Sequence, residues 1–408
     1  MKVAASNTIL LAVLGTLCCH LQKTTHGFAM SSSNTPSRKK VSNEKKSNNN
    51  KSGGFGKMEK KSVPIQHTAD ESESIQKLMN FLLSQKSTGF GSPDAGTEVG
   101  IRSIITADDD DNNNNNNNGR GVYATKAFKK NEIICRIPSD CALALCDPAM
   151  GGDDIPTSAH AGRNYLLFYQ LDERASKLWA PYLDTLPSSM EGKNNNFEPT
   201  PDYFSDDEIE ALEFPLAVEA AKTRRQQIID LANSEDDSIT LEDLQFATWL
   251  ASSRSFAISI SSQNPDAPQG LATESDKKSI RVLLPYLDLI NHSSNDANAE
   301  LHLIDPEEDE AWFAIRATRT IRAGKEITIA YGTGVESSVG LLQNYGFVPD
   351  ENKIDQMMLS RAGDGTIKTI DEWSTTLEED VNALKNENLT ENMRKVIQLR
   401  CKLKRSYD

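Results

Sequence analysis

A few polar side chains stand at the ends of apolar runs in this chain, where unpaired polarity is costly. Asp288, Asn291, His292 and Ser293 close the run Leu283–Ser293, LLPYLDLINHS. Farther along, RAGKEITIAYG ends on Tyr331-Gly332, and NYGF places Tyr345 shortly after it. Upstream, Arg254 closes TWLASSRSF, and Gly119-Arg120-Gly121 opens a short apolar stretch. An amide beside an imidazole at the end of an apolar strand has something to hold. Each residue also has an ordinary reading: His292 as a satisfied core histidine, Tyr331-Gly332 as a strand end with a turn, Arg254 as a cation at a helix C-terminus. The glycines suit either a tight turn or a backbone that a ligand approaches closely.

The elements that must position these groups follow from periodicity and turn signals. Ile75, Leu78, Met79, Leu82 and Leu83 recur at helical spacing from about Ser72, and Gly89–Gly91 with Pro93 ends that helix. A short strand is predicted at Val99–Ile105. Ala107–Asn118 (ADDDDNNNNNNN) has no apolar residue with which to fold and reads as an expanded loop between two strands. Val122-Tyr123 reads as a strand, Lys130-Asn131 as a hairpin turn, and Ile133–Ile137 as the return strand stopped by Pro138. Residues 160–256 are predicted to be helical. Apolar spacing marks Tyr165–Arg174, and Ser205 caps a helix running through Pro215 toward Ala232. Thr240-Leu-Glu-Asp243 is a capping box for a helix ending at Arg254.

The order GRGVYAT, a helical stretch containing LWAPYLDTLP, SRSF, DLINHS, RAGKEITIAYG and NYGF resembles SET-domain protein methyltransferases over roughly residues 73–408. More narrowly it resembles the plastid Rubisco large-subunit lysine methyltransferase group. That resemblance implies an α+β fold of small curved sheets with a helical insertion, a pseudoknot where the NHS strand threads beneath the C-terminal segment, and a C-terminal helical substrate-binding region. It implies S-adenosyl-L-methionine as cofactor and a protein partner with an exposed lysine. Asn118, Gly119 and Arg120 would line the cofactor through backbone groups, and Arg254 would hold its carboxylate. Asn291 and His292 would contact it by backbone and side chain, with Asp288 close to both cofactor and substrate. Tyr331 would face the transferred methyl, and Tyr345 would wall the pocket. A related branch methylates an actin histidine and carries Asn two residues after the arginine; Phe256 stands there in this chain, as in the lysine-modifying relatives.

The chemistry fits these residue types. Methyl transfer from a sulfonium to an amine is an in-line displacement, so alignment supplies most of the catalysis. The amine must be neutral, which costs about 4–5 kcal/mol at pH 7 for a free lysine, less after desolvation beside a positive sulfonium. Tyr331 need only orient that amine. The chain departs from the group at Asn118, where an acidic residue is usual, in a longer segment from Tyr331 to NYGF, and in a short C-terminal region.

Composition narrows the partners. Of the net charge of -15, residues 1–27 carry +2 and residues 28–62 carry +7, leaving -24 on residues 63–408. An acidic body repels phosphate backbones and disfavours nucleic acid, and a monomer acting on a basic protein or peptide is expected. Cys135, Cys141, Cys146 and Cys401 form no CxxC pair and give no zinc signature. Lys2 and the apolar run Ile9–Leu17 read as a signal peptide over 1–27, and the Ser/Asn/Lys-rich stretch 28–71 has transit-peptide composition. Together they resemble the bipartite presequence of algae with complex plastids; plain secretion with a basic tail is the alternative. No other run is long and apolar enough to span a membrane, so no stable membrane association is expected.

Overall fold

The computed structural model describes residues 66–69, 73–84, 99–105, 120–146, 156–187, 197–234, 239–261, 277–304, 311–332, 334, 336–359 and 372–407. The presequence, the loop 107–118 with Asn118 and Gly119, and most of the segment 360–373 lie outside these residues. The chain begins with strand β1 (Gln66–Ala69), helix α1 (Glu73–Ser84) and strands β2 (Val99–Ile105), β3 (Arg120–Ala124), β4 (Ile133–Pro138) and β5 (Leu143–Ala144). A helical insertion follows: α2 (Ser158–Tyr165), α3 (Glu173–Leu183), α4 (Asp206–Glu210), α5 (Pro215–Ser234) and α6 (Leu241–Arg254). Then come β6 (Ser255–Ser261), β7 (Lys277–Leu283), β8 (Asn291–His292), β9 (Ala299–Ile304), β10 (Trp312–Ala317) and β11 (Thr328–Ile329). Helices α7 (Ser338–Tyr345), α8 (Lys353–Leu359), α9 (Leu377–Ala383) and α10 (Glu391–Arg405) complete the fold. The architecture is α+β, as expected.

The strands form small separate sheets with orders β1-β2-β3, β4-β10-β9, β5-β7-β6 and β11-β8. β2 and β3 pair antiparallel from Val99↔Ala124 to Ser103↔Arg120, so the two strands flanking residues 107–118 do lie side by side. β1 extends that sheet ahead of the start expected at Ser72. The turn at Lys130-Asn131 is present, with Asn131 at φ 68°, a conformation asparagine tolerates better than most residues. Its strand assignment needs correction: β4 pairs with β10 (Ile137↔Phe313), not with β3. Local hydrophobic spacing cannot tell a hairpin partner from a distant strand of equal apolarity.

Capping explains where the insertion helices begin. Thr157 and Asp172 accept N-terminal amides of α2 and α3, while Ser205–Glu208 and Thr240–Asp243 form complete capping boxes. Two predicted helices are each split. A π-helical turn (Leu166–Gln170) and the Asp172 cap divide the Tyr165–Arg174 stretch between α2 and α3. The helix predicted from Ser205 to Ala232 stops at Glu210; Glu213 takes φ 53° and Pro215 starts a new helix, where its missing N–H costs nothing.

Two large apolar cores result, with a small third cluster of Ala159, Ile228, Ile239 and Leu244. The larger unites α1 (Ile75, Leu78, Leu82), β3–β5, α6 and β7 with Leu287, Leu289 and Ile290. The second joins Phe204, Leu212, Phe214 and Ala217 of the insertion to Val339, Leu342, Leu359, Trp373, Val396, Leu399 and Leu403. The C-terminal helices therefore share a core with the insertion. A buried ionic group reinforces it: Asp380 accepts from Lys404 Nζ at 2.6 Å and pairs with Arg400 Nη2 at 2.8 Å, and Arg400 also meets Glu213 at 2.9 Å. Lys404 is 2% exposed and lies 5.1 Å from the Trp373 ring centroid. Removing one member of such a group strands the others. Asp380→Ala should lower the unfolding free energy by about 3–5 kcal/mol in denaturant titration, whereas an exposed pair such as Lys177–Glu173 should contribute about 0.5 kcal/mol or less.

Candidate active site

The site is built on a crossing of two short segments. β8 runs parallel to β11, with Asn291 opposite Thr328 and His292 opposite Ile329. Ser293 N donates to Ile329 O at 3.0 Å, and Asn298 Nδ2 donates to Glu326 O at 2.8 Å. Tyr331 then closes the crossing twice. Its N–H donates to His292 Nδ1 at 2.9 Å, and its hydroxyl donates to Ile290 O at 2.8 Å.

These contacts fix the state of His292. With Nδ1 accepting, the ring proton belongs on Nε2, 2.7 Å from Ser294 Oγ. Burial pushes the imidazole down to about 4, so it is neutral at physiological pH. Both ring nitrogens are thus committed inside the protein. The His292 ring, expected to contact a ligand together with the backbone, also holds Tyr331 in place. Asn291 Nδ2 donates to Glu326 Oε1 at 2.8 Å, while Gly121 faces the same pair. A Cβ on Gly121 would meet Glu326 Oε1 at 2.7 Å and Asn291 Nδ2 at 3.0 Å, so a larger residue there would require that side-chain pair to shift. Arg120 begins β3 opposite Ser103.

An aromatic cluster surrounds Tyr331. Ring centroids lie 4.8 Å apart for Tyr331–Tyr345, 5.1 Å for His292–Tyr331, 5.7 Å for His292–Phe347 and 6.3 Å for Tyr345–Phe347. Burial pushes the Tyr331 phenol above its usual range and Tyr345 up to about 12, so both hydroxyls stay protonated donors. Gly346 makes the turn that brings Phe347 back. It sits at φ 79°, and a Cβ there would meet Glu198 O at 2.1 Å. From the insertion, Arg224 donates to Gln343 O and, at 2.7 Å, to Asn344 Oδ1, which braces the end of α7 before Tyr345.

A charged corner completes the arrangement. Arg254 Nη1 stands 3.5 Å from Asp288 Oδ2, and Tyr182 of α3 donates its hydroxyl to the same oxygen at 3.0 Å. The Asp288 side chain is 1% exposed, and burial raises its carboxyl against the opposing pull of Arg254 and Tyr182. Two buried atoms there have no hydrogen-bond partner, Asp288 Oδ1 and Arg254 Nε. Arg254, Asp288, Tyr345 and Glu326 all bear electrostatically on Tyr331, so residues far apart in sequence converge on one hydroxyl. Phe256, two residues beyond Arg254, is half-buried in β6 opposite Val282 and packs on the larger core. Sequence reasoning missed Tyr182, Glu326, Phe347 and Arg224. The first three stood inside recognised motifs without a role, and Arg224 carried no signal among the charges of a long helix.

The small sheets, the helical insertion and the crossing at Asn291–His292 define a known class. The SET domain model matches residues 119–332, and the chain belongs to that family. Among curated proteins it is similar to the actin-histidine N-methyltransferases of Homo sapiens (28% identical over 265 residues) and Rattus norvegicus (27% over 265 residues). The matches cover 59% of this chain and span about 40% of the length of those relatives. Among solved structures, the SET domain of LSMT bound to lysine and AdoHcy matches with a TM-score of 0.52 at 15% identity, covering 82% of this chain and 89% of that one. Rubisco LSMT bound to AdoMet gives 0.51 at 15% identity over the same shares. At such identity these structures support the fold.

The neutral histidine has a measurable consequence. Its folded pKa lies below the unfolded value of about 6.5, so its contribution to stability is present above that pH and is lost as pH falls toward about 4. Nuclear magnetic resonance should find the His292 ring titrating near 4 with its proton on Nε2. A midpoint at or above 6 would refute this assignment.

Proposed function

We propose that this protein is an S-adenosyl-L-methionine-dependent protein-lysine N-methyltransferase acting on a plastid protein, Rubisco large subunit or another stromal enzyme. The observation that carries the reading is the convergence of Arg254, Asn291 and Tyr331 around the β8–β11 crossing. The residues fit the cofactor. Arg254 offers a buried donor, Nε, with no protein partner, suited to a carboxylate. Gly121 leaves backbone bare beside Asn291, and the backbone of Arg120 and His292 would complete the cradle. When bound, the cofactor supplies an electrophilic methyl group on a sulfonium.

The chain's own residues supply positioning and dryness. Tyr331 stays protonated and anchored to Ile290 O, so it serves as a fixed hydroxyl and not as a base. His292, held neutral, keeps the Tyr331 backbone in register. Tyr345 and Phe347 exclude water around the acceptor, which lowers the cost of holding an amine uncharged. Phe256, standing where the histidine-modifying branch carries Asn, supports lysine over histidine, because a phenyl ring offers no hydrogen-bond partner to fix an imidazole tautomer. Similarity to the actin-histidine enzymes favours histidine as a second reading. A catalytically idle SET-fold binding module, or an enzyme for a non-plastid protein, is the remaining alternative. The signal- and transit-like composition of residues 1–71 supports the plastid assignment.

Incubation with methyl-labelled S-adenosylmethionine and plastid extract should label a protein, and mass spectrometry should locate the methyl on lysine. Label on histidine would overturn the acceptor assignment. Absence of label with intact cofactor binding would favour the idle module. Tyr331→Phe should cut transfer about a hundredfold while leaving cofactor affinity nearly unchanged.

A further inference from the structure

The segment between Tyr331 and Tyr345 carries a charge that neither cofactor binding nor alignment uses. Tyr331, Tyr345 and Phe347 are each half-buried, and Gly332 and Gly334 are exposed, so the aromatic cluster meets solvent along this segment. Glu336 is half-buried there. Two glycines show where its carboxylate lies. A Cβ on Gly332 would overlap Glu336 Cγ and Oε1, and one on Gly340 would come within 2.5 Å of Oε2. The carboxylate therefore rests between the residue that follows Tyr331 and the first turn of α7.

That position brings a negative charge to the aromatic pocket. The Gly332 backbone also meets the Tyr345 hydroxyl. After burial, Glu336 is the largest influence raising the Tyr345 phenol, with the Gly332 backbone and Arg281 opposing it. Glu336 has an ordinary reading too, as an acid placed favourably at the start of a helix. Capping does not call for it, however. Ser338 N already donates to Asp355 Oδ1 at 2.6 Å, and Gly340 N to Ser337 Oγ at 3.2 Å.

We infer that Glu336 is a specificity residue that draws a cationic acceptor side chain, the ammonium of lysine, to the mouth of the pocket formed by Tyr331 and Tyr345. This rests on the reading of that pocket as the acceptor site. At neutral pH a lysine side chain arrives charged, whereas an imidazole is largely neutral. A carboxylate beside a partly desolvated aromatic wall therefore selects lysine by charge. It acts on binding and not on methyl transfer. A carboxylate is about six pK units too weak a base to take the lysine proton, and its charge favours the ammonium form, which cannot attack. Glu336 should lower KM without raising kcat.

Nuclear magnetic resonance titration with two probes tests it: Nα-acetyl-lysine methylamide and its norleucine counterpart, which lacks only the ammonium. The wild-type protein should bind the lysine probe at least about tenfold tighter. Glu336→Gln should bring the two probes within about threefold of each other while leaving affinity for S-adenosylmethionine within about twofold. Glu336→Asp, which keeps the charge, should retain most of the preference. Equal losses in the two variants would mark a structural role and overturn the inference. An unchanged preference in Glu336→Gln, or a wild type that binds neither probe, would overturn it as well. A wild type that fails to bind S-adenosylmethionine overturns the methyltransferase reading instead. The same three proteins titrated with the two probes in the absence of cofactor then decide the role of Glu336 by the same criteria.

Discussion

Everything in the candidate site hangs on the two hydrogen bonds by which Tyr331 spans the crossing of β8 and β11. One comes from its backbone and one from its side chain, and they land on opposite sides of Asn291. A residue held at both ends cannot drift when its neighbours move. The neutral His292 makes this possible, since a protonated ring could not accept the Tyr331 N–H. A low imidazole pKa is therefore part of the architecture of the hydroxyl. Enzymes whose chemistry is mostly alignment gain more from such rigidity than from a strong base.

Rigidity at the crossing is supplied from two directions. Gly346 folds the chain after α7 so tightly against Glu198 that no side chain fits, and Glu198 O also accepts from Trp249 Nε1 at 2.8 Å. Phe197 packs against the same indole, tilted by 58° with ring centroids 4.7 Å apart. The short segment 197–200 thus lies between the insertion and the Tyr345–Phe347 turn. Asp355 works on the other end of α7, accepting from Ser338 N at 2.6 Å and from its hydroxyl. Both ends of the helix that delivers Tyr345 are fixed by residues distant in sequence.

Much of this was legible in the sequence, for identifiable reasons. Capping boxes at Ser205 and Thr240 are local and announce themselves. Asn291, His292, Arg254 and Tyr331 stand out because polar groups at the end of apolar runs are expensive. What was not legible depends on contacts between distant segments. The partner of β4 was set by β10, and the break at Glu213 by packing that tolerates one positive φ. That the ring of His292 accepts from Tyr331 N is not legible, because nothing local reveals that Tyr331 would come to its Nδ1. Tyr182 was invisible in the same way, since the partner of its hydroxyl, Asp288, lies far along the chain.

The sharing of one apolar core between the insertion and the C-terminal helices has a consequence for how this chain can change. A domain joined by a linker can be exchanged, lengthened or lost as a unit. Here Lys395 of α10 pairs with Glu198, the very residue against which Gly346 turns. The tail and the aromatic wall around Tyr331 are thus two ends of one packed column. Evolution at the tail must accommodate the wall, and a graft from a relative would carry over its function only if this face came with it.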